Sequence, residues 1–129
     1  MVTHSTTAKL TALIVFDQHI TANQSNEIEF VVDSGATSHM INQRDILINE
    51  KLCKNPTDAG ITIAKKDVFL SKESMGQLIL ENDYGERFIM SDVILAPDLV
   101  TNLLSVKMLC QNGYDVVFSE KIKLVRRES

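Results

Sequence analysis

The chain has 129 residues, of which 44% are hydrophobic and 23% charged, and a formal net charge of -4. That size and balance predict one ordinary globular domain and argue against a nucleic-acid-binding footprint. A domain this small buries a modest core and cannot by itself build a deep two-lobed cleft.

Met1 to Thr7, rich in Thr and Ser, reads as a lead-in without structure. Leu10 to Phe16 is apolar and β-branched, which predicts an outer strand, and the polar run Gln18 to Asn26 predicts a linker. The apolar run Ala12 to Phe16 is too short to cross a membrane, and it lacks the basic flank and cleavage site of a secretory signal. Residues 1–26 therefore form an N-terminal lead-in, 27–126 a compact domain and 127–129 a tail. Within the domain, Glu27 to Val32 alternates and then turns fully apolar, as a strand entering a core does. Asp33-Ser34-Gly35-Ala36 breaks it with a turn.

Further strands are expected over Ile61 to Ala64, Val68 to Leu70, Gln77 to Leu80 and Arg87 to Leu95. Polar turns at Lys65-Lys66-Asp67 and Asn82 to Glu86 separate them, and Pro97, with no N–H to donate, ends the last ladder. Across Val100 to Leu109 the apolar spacing predicts a short buried helix, closed by Gly113 as its C-terminal cap. Tyr114 to Phe118 and Ile122 to Val125 are the last strands. Many short strands with one short C-terminal helix give a mainly β fold, a small closed β-barrel.

The segment with chemical content is Phe30-Val31-Val32-Asp33-Ser34-Gly35-Ala36. The apolar strand anchors and dries a loop that presents one carboxylate. Gly35 permits close backbone approach and can turn its N–H to that carboxylate. Ser34 offers a hydroxyl to a facing loop, and Ala36 leaves room for substrate. Peptide hydrolysis without metal or covalent intermediate needs two carboxylates, one ionised to deprotonate water and one protonated to polarise the carbonyl. Asp17, Asp45, Asp58, Asp67, Asp83, Asp92, Asp98 and Asp115 all lack this sequence context. The second carboxylate is therefore expected from Asp33 of another copy across a two-fold axis.

Val31-Val32-Asp33-Ser34-Gly35-Ala36-Thr37-Ser38-His39-Met40 resembles the protease motif of copia-type LTR retrotransposon Gag-Pol polyproteins. Asp92 to Leu99, Asn102-Leu103-Leu104-Ser105-Val106 and Gly113 to Phe118 resemble later blocks of that family, in the same order. The resemblance spans roughly Glu27 to Val125. It implies a retropepsin-type β-barrel that works as a homodimeric aspartic endopeptidase on polyprotein peptides. Its location would be the cytoplasm, including virus-like particles, with no cofactor, no metal and neither nucleic acid nor membrane as direct partner. It makes Asp33 the catalytic residue, Ser34 a grip across the dimer and Gly35 and Ala36 the rest of the active-site loop. Ile61 to Leu80 falls where the family has its substrate-covering flap, with Ala64, Lys65, Lys66 and Asp67 at the tip. That tip departs from the glycine often found there, which favours an alternative: an inactive barrel remnant serving as a structural or peptide-binding module.

His39 reads as a structural or surface histidine rather than the base of a triad with Ser34 or Ser38. Cys53 and Cys110 have no metal-ligand spacing and read as buried thiols. The basic cluster Lys121, Lys123, Arg126 and Arg127 reads as a solvated strand edge or tail.

Overall fold

Alternation with a period of two decides most elements in the computed structural model, which describes residues 6–15, 26–53, 61–63, 68–70 and 72–127. Strand β1 (Thr7–Ile14) is followed by β2 (Glu27–Asp33), β3 (Met40–Ile41), β4 (Ile48–Leu52), β5 (Ile61–Ile63) and β6 (Val68–Leu70). Then come β7 (Ser74–Glu81), β8 (Arg87–Leu95), β9 (Leu103–Ser105), the helix α1 (Val106–Gln111), β10 (Tyr114–Val117) and β11 (Lys123–Arg126). In β2 the alternate residues Ile28, Phe30 and Val32 are buried, and in β7 Ser74, Gly76, Leu78 and Leu80. This is the signature of strands with one face on a core.

The main sheet runs β1-β2-β9-β3-β8-β7-β4, and β1 also pairs with β7. β1, expected as an outer strand, thus has partners on both sides. It pairs antiparallel with β2 from Thr7↔Asp33 to Leu13↔Glu27, and with β7 at Leu13↔Glu81 and Ile14↔Leu80. The series of neighbours returns to its own first strand, and β4 attaches outside it on β7. Two pairings are parallel, β2 with β9 and β3 with β8. Inside lie Phe30, Ile41, Leu78, Met90, Leu104 and Leu109, none more than 1% exposed. Each such side chain contributes about 1.5–3 kcal/mol of burial. Met40, Ile94, Ala96 and Leu99 form a smaller apolar cluster, with Met75 and Leu103 packed against it.

The expected helix over Val100 to Leu109 is corrected in its first half. Leu103, Leu104 and Ser105 extend as β9 beside Val31, Val32 and Asp33. Non-local ladder bonds outweigh the helical spacing there, and the helix begins only after Ser105. Gly113, at φ +95°, follows the cap residue Asn112 and takes the left-handed conformation that ends α1. β3 and β4 were not expected. Cys53 and Cys110 are free thiols, but both are only half-buried, one just after the edge strand β4 and the other in α1.

The β10–β11 hairpin is fastened to β8 through Tyr114. Its hydroxyl accepts from Ile89 N–H at 3.1 Å, and its ring meets Phe88 edge-on at 5.5 Å between centroids. The basic cluster takes part in this fastening. Arg126 lies over the Tyr114 ring at 5.9 Å, and Arg127 pairs with Asp115 at 2.8 Å.

Candidate active-site loop

Asp33 is the last residue of β2, delivered to the surface by a strand whose Phe30 and Val32 are fully buried. The anchor is buried, and Asp33 itself is half-exposed. Gly35 N–H donates to Asp33 Oδ1 at 2.7 Å, and Ala36 N–H donates to the Asp33 carbonyl at 3.4 Å. The turn therefore folds back on its own carboxylate, occupying Oδ1 and leaving Oδ2 without a partner among the described residues. Asp33 faces Thr7 and Ser105 in the neighbouring strands, neither of them acidic.

Ser34 and Gly35 are exposed, and Ala36 is half-buried. Ser34 is held within the chain: its N–H donates to the Thr6 carbonyl at 2.9 Å, and its Oγ accepts from Thr6 N–H at 2.7 Å. These two bonds continue the β1–β2 ladder one residue past Asp33. The Ser34 hydroxyl proton is left for an acceptor outside this pair.

Beneath the loop lies a polar cluster within a mostly apolar interior. His39 and Ser105 are both fully buried. Ser105 N–H donates to His39 Nδ1 at 3.0 Å, and Ser105 Oγ donates to the Ala36 carbonyl at 2.7 Å. The same Oγ accepts from Met108 N–H at 3.1 Å and so caps α1. Because Nδ1 is an acceptor, the neutral ring carries its proton on Nε2, which has no hydrogen-bond partner among the described residues. Burial pushes His39 down from 6.5 to about 4, so the ring is neutral near pH 7. Of the structural and surface readings the structure shows the first, and the ring is fixed by Ser105 rather than by Ser34 or Ser38.

A second polar knot secures the approach to β9. Asn42 N–H donates to Asn102 Oδ1, Asn42 Nδ2 donates to the Leu99 carbonyl, and Asn102 Nδ2 donates to the Glu29 carbonyl. Ser105, Asn42 and Asn102 were not foreseen as parts of the site. A Ser placed just before a helix signals a cap, and that signal was hidden by starting the helix too early.

The strands flanking the expected flap tip pair from Ile61↔Leu70 to Ile63↔Val68. Ala64, Lys65, Lys66 and Asp67 lie outside the described residues. Two surface grooves, of about 470 and 550 Å³, run along β4–β7–β8 and along β1 with the β7–β8 turn. Neither is lined by residues of the Asp33 loop.

A family model described as "Pol polyprotein, beta-barrel domain" matches residues 30–114, from the strand before Asp33 to the residue that fastens the final hairpin. No solved structure matches the chain.

Proposed function

Since the chain belongs to the family of Pol polyprotein beta-barrel domains, we propose that it is the aspartic endopeptidase of a copia-type retrotransposon polyprotein, with Asp33 as its catalytic carboxylate. The observation that carries this reading is the bond from Gly35 N–H to Asp33 Oδ1, at the end of a strand buried on one face. It holds one carboxylate oxygen, and the other, with no partner among the described residues, is the one that would act. The strand neighbours, in which β1 joins both β2 and β7, fit a closed barrel of the retropepsin type.

The half-exposed Asp33 and its surface loop suit a site completed by a second copy. A two-fold axis at the loop would set two Asp33 carboxylates side by side, and two carboxylates so close do not both ionise cheaply. The ionised one takes a proton from a water held between them. The protonated one gives its proton to the oxygen of the scissile carbonyl. The hydroxide carbon–oxygen bond forms as the carbonyl π bond opens. Collapse of the tetrahedral carbon then breaks the C–N bond: the carboxyl that took the water's proton gives it to the leaving nitrogen, and the other carboxylate takes a hydroxyl proton as the carbonyl re-forms. Ser34 Oγ accepts from Thr6 in its own chain, and its hydroxyl proton would be donated to the partner's loop. An extended polyprotein peptide would lie across the joined loops and pair with strand edges, the β5–β6 hairpin closing over it.

The charged flap-tip sequence Ala64-Lys65-Lys66-Asp67 favours the second reading, a folded but inactive module that binds peptide or builds structure. The test is cleavage of a polyprotein-derived fragment at mildly acidic pH, over a range of protein concentration, by wild type and Asp33→Asn. Cleavage lost in the variant, with specific activity rising with concentration, supports the shared-carboxylate dimer. A folded wild type that cleaves at no concentration supports the inactive module.

A further inference from the structure

We propose that Ser105 and His39 are positioning residues for the Asp33 loop, the imidazole fixing Ser105 and the Ser105 hydroxyl fixing the Ala36 carbonyl. This rests on the reading of Asp33 as the catalytic carboxylate.

Among the described residues the loop has few tethers. Its outer side is held by Thr6 through Ser34. Its inner side is held by the Ser105 Oγ bond to the Ala36 carbonyl, from the residue beside Asp33 in the parallel β2–β9 ladder. The Ala36 carbonyl lies in the peptide to Thr37, and only the Gly35–Ala36 peptide separates it from the peptide whose N–H grips the carboxylate. A displacement of the chain at Ala36 would pass back through this one peptide and shift the Gly35 N–H from Oδ1.

Ser105 is in turn fixed from three directions. Its N–H is taken by His39 Nδ1, its Oγ accepts from Met108 N–H, and its backbone lies in β9. His39 is itself pinned through its main chain, its carbonyl accepting from Ile94 N–H at 2.9 Å. The ring is a costly filler for this place. A buried N–H without a partner costs about 1–3 kcal/mol, and a leucine of similar size would bury without that cost. What the imidazole supplies and leucine lacks is an acceptor for Ser105 N–H. The relay thus runs from β8 through His39 to Ser105, and from Ser105 to the loop and the start of α1.

The experiment compares Ser105→Val with Ser105→Thr, near-isosteric residues that differ in the hydroxyl, and His39→Leu with His39→Asn, whose amide oxygen can replace Nδ1. Ser105→Ala serves if the valine variant does not fold. Two readouts are taken on each full-length protein. One is kcat and KM for Asp33-dependent cleavage of the polyprotein-derived fragment. The other is the exchange rate of the Gly35 amide by NMR, which needs no activity.

Loss of the hydroxyl is expected to lower kcat roughly 10–100-fold with KM within about twofold, as slight misplacement of a reacting group does. The Gly35 amide should exchange about tenfold faster, and Thr and Asn should restore both. A folded Ser105→Val or Ser105→Ala protein in which either readout stays at the wild-type value overturns the proposal. If wild type shows no Asp33-dependent cleavage, the protease reading fails by itself. The Gly35 amide then decides alone whether Ser105 and His39 hold the loop.

Discussion

Lowering the pH should destabilise this protein through His39, in a window set by burial. The folded ring titrates near 4, against an ordinary 6.5. Above pH 6.5 the ring is neutral in both the folded and unfolded chain and contributes no pH dependence. Between 6.5 and about 4 the unfolded chain binds a proton that the folded chain refuses, so stability falls as pH falls. At about 1.4 kcal/mol for each pH step, the interval amounts to about 3 kcal/mol. That is a large part of the 5–15 kcal/mol typical of a whole domain. The assay is urea unfolding of wild type and His39→Asn at fixed protein concentration, from pH 7.5 down to pH 4. Groups shared by both proteins cancel in the difference. Glu73 is one: its hydrogen bond to Arg44 holds its carboxyl below the ordinary range. The gap between the two stabilities should be constant above pH 6.5 and shift by about 3 kcal/mol toward the variant by pH 4. Parallel curves throughout would refute the claim that a neutral, buried imidazole is a condition of the fold.

Other substitutions probe the frame around the loop. Leu104→Ala, at a fully buried position in β9, should cost about 2–5 kcal/mol in chemical denaturation. Gly76→Ala should destabilise by about 1–3 kcal/mol, because its Cβ would stand 2.9 Å from the Ile48 carbonyl and 3.2 Å from Glu50 Cα, both backbone atoms. Tyr114→Phe leaves Ile89 N–H without its acceptor and should cost about 1 kcal/mol, with faster exchange at that amide. Asp33→Asn should keep the thermal midpoint within a few degrees while abolishing any Asp33-dependent cleavage, which separates the carboxylate's chemistry from its place in the turn.

Strands with clean alternation, such as Arg87 to Leu95, were legible because their side chains carry the pattern of the sheet. Asp33, Ser34, Gly35 and Ala36 were legible as a turn at a strand end, and the bond from Gly35 to Asp33 agrees with the expected backbone role. What stayed hidden depends on partners far away in the chain. β3 is two residues long and exists only through its neighbours in β8 and β9. Leu103 to Ser105 carries helical spacing, and its strand state comes from Val31 to Asp33, about seventy residues earlier. The role of His39 was hidden for the same reason, since its acceptor function is defined by Ser105 and not by any local motif.

The parallel pairing of β2 with β9 also orders events in time. Asp33 is made early, while Ser105, its ladder neighbour and the anchor of its loop, follows 72 residues later. A chain leaving the ribosome therefore carries the carboxylate for some seconds, at about 5–20 residues per second, before the residue that steadies it exists. Closing so distant a contact is slow relative to hairpins such as β7–β8. The nascent chain should thus hold its hairpins first and an unformed Asp33 loop until β9 docks. On the protease reading, such a chain would remain inert toward its own polyprotein until synthesis has passed this domain.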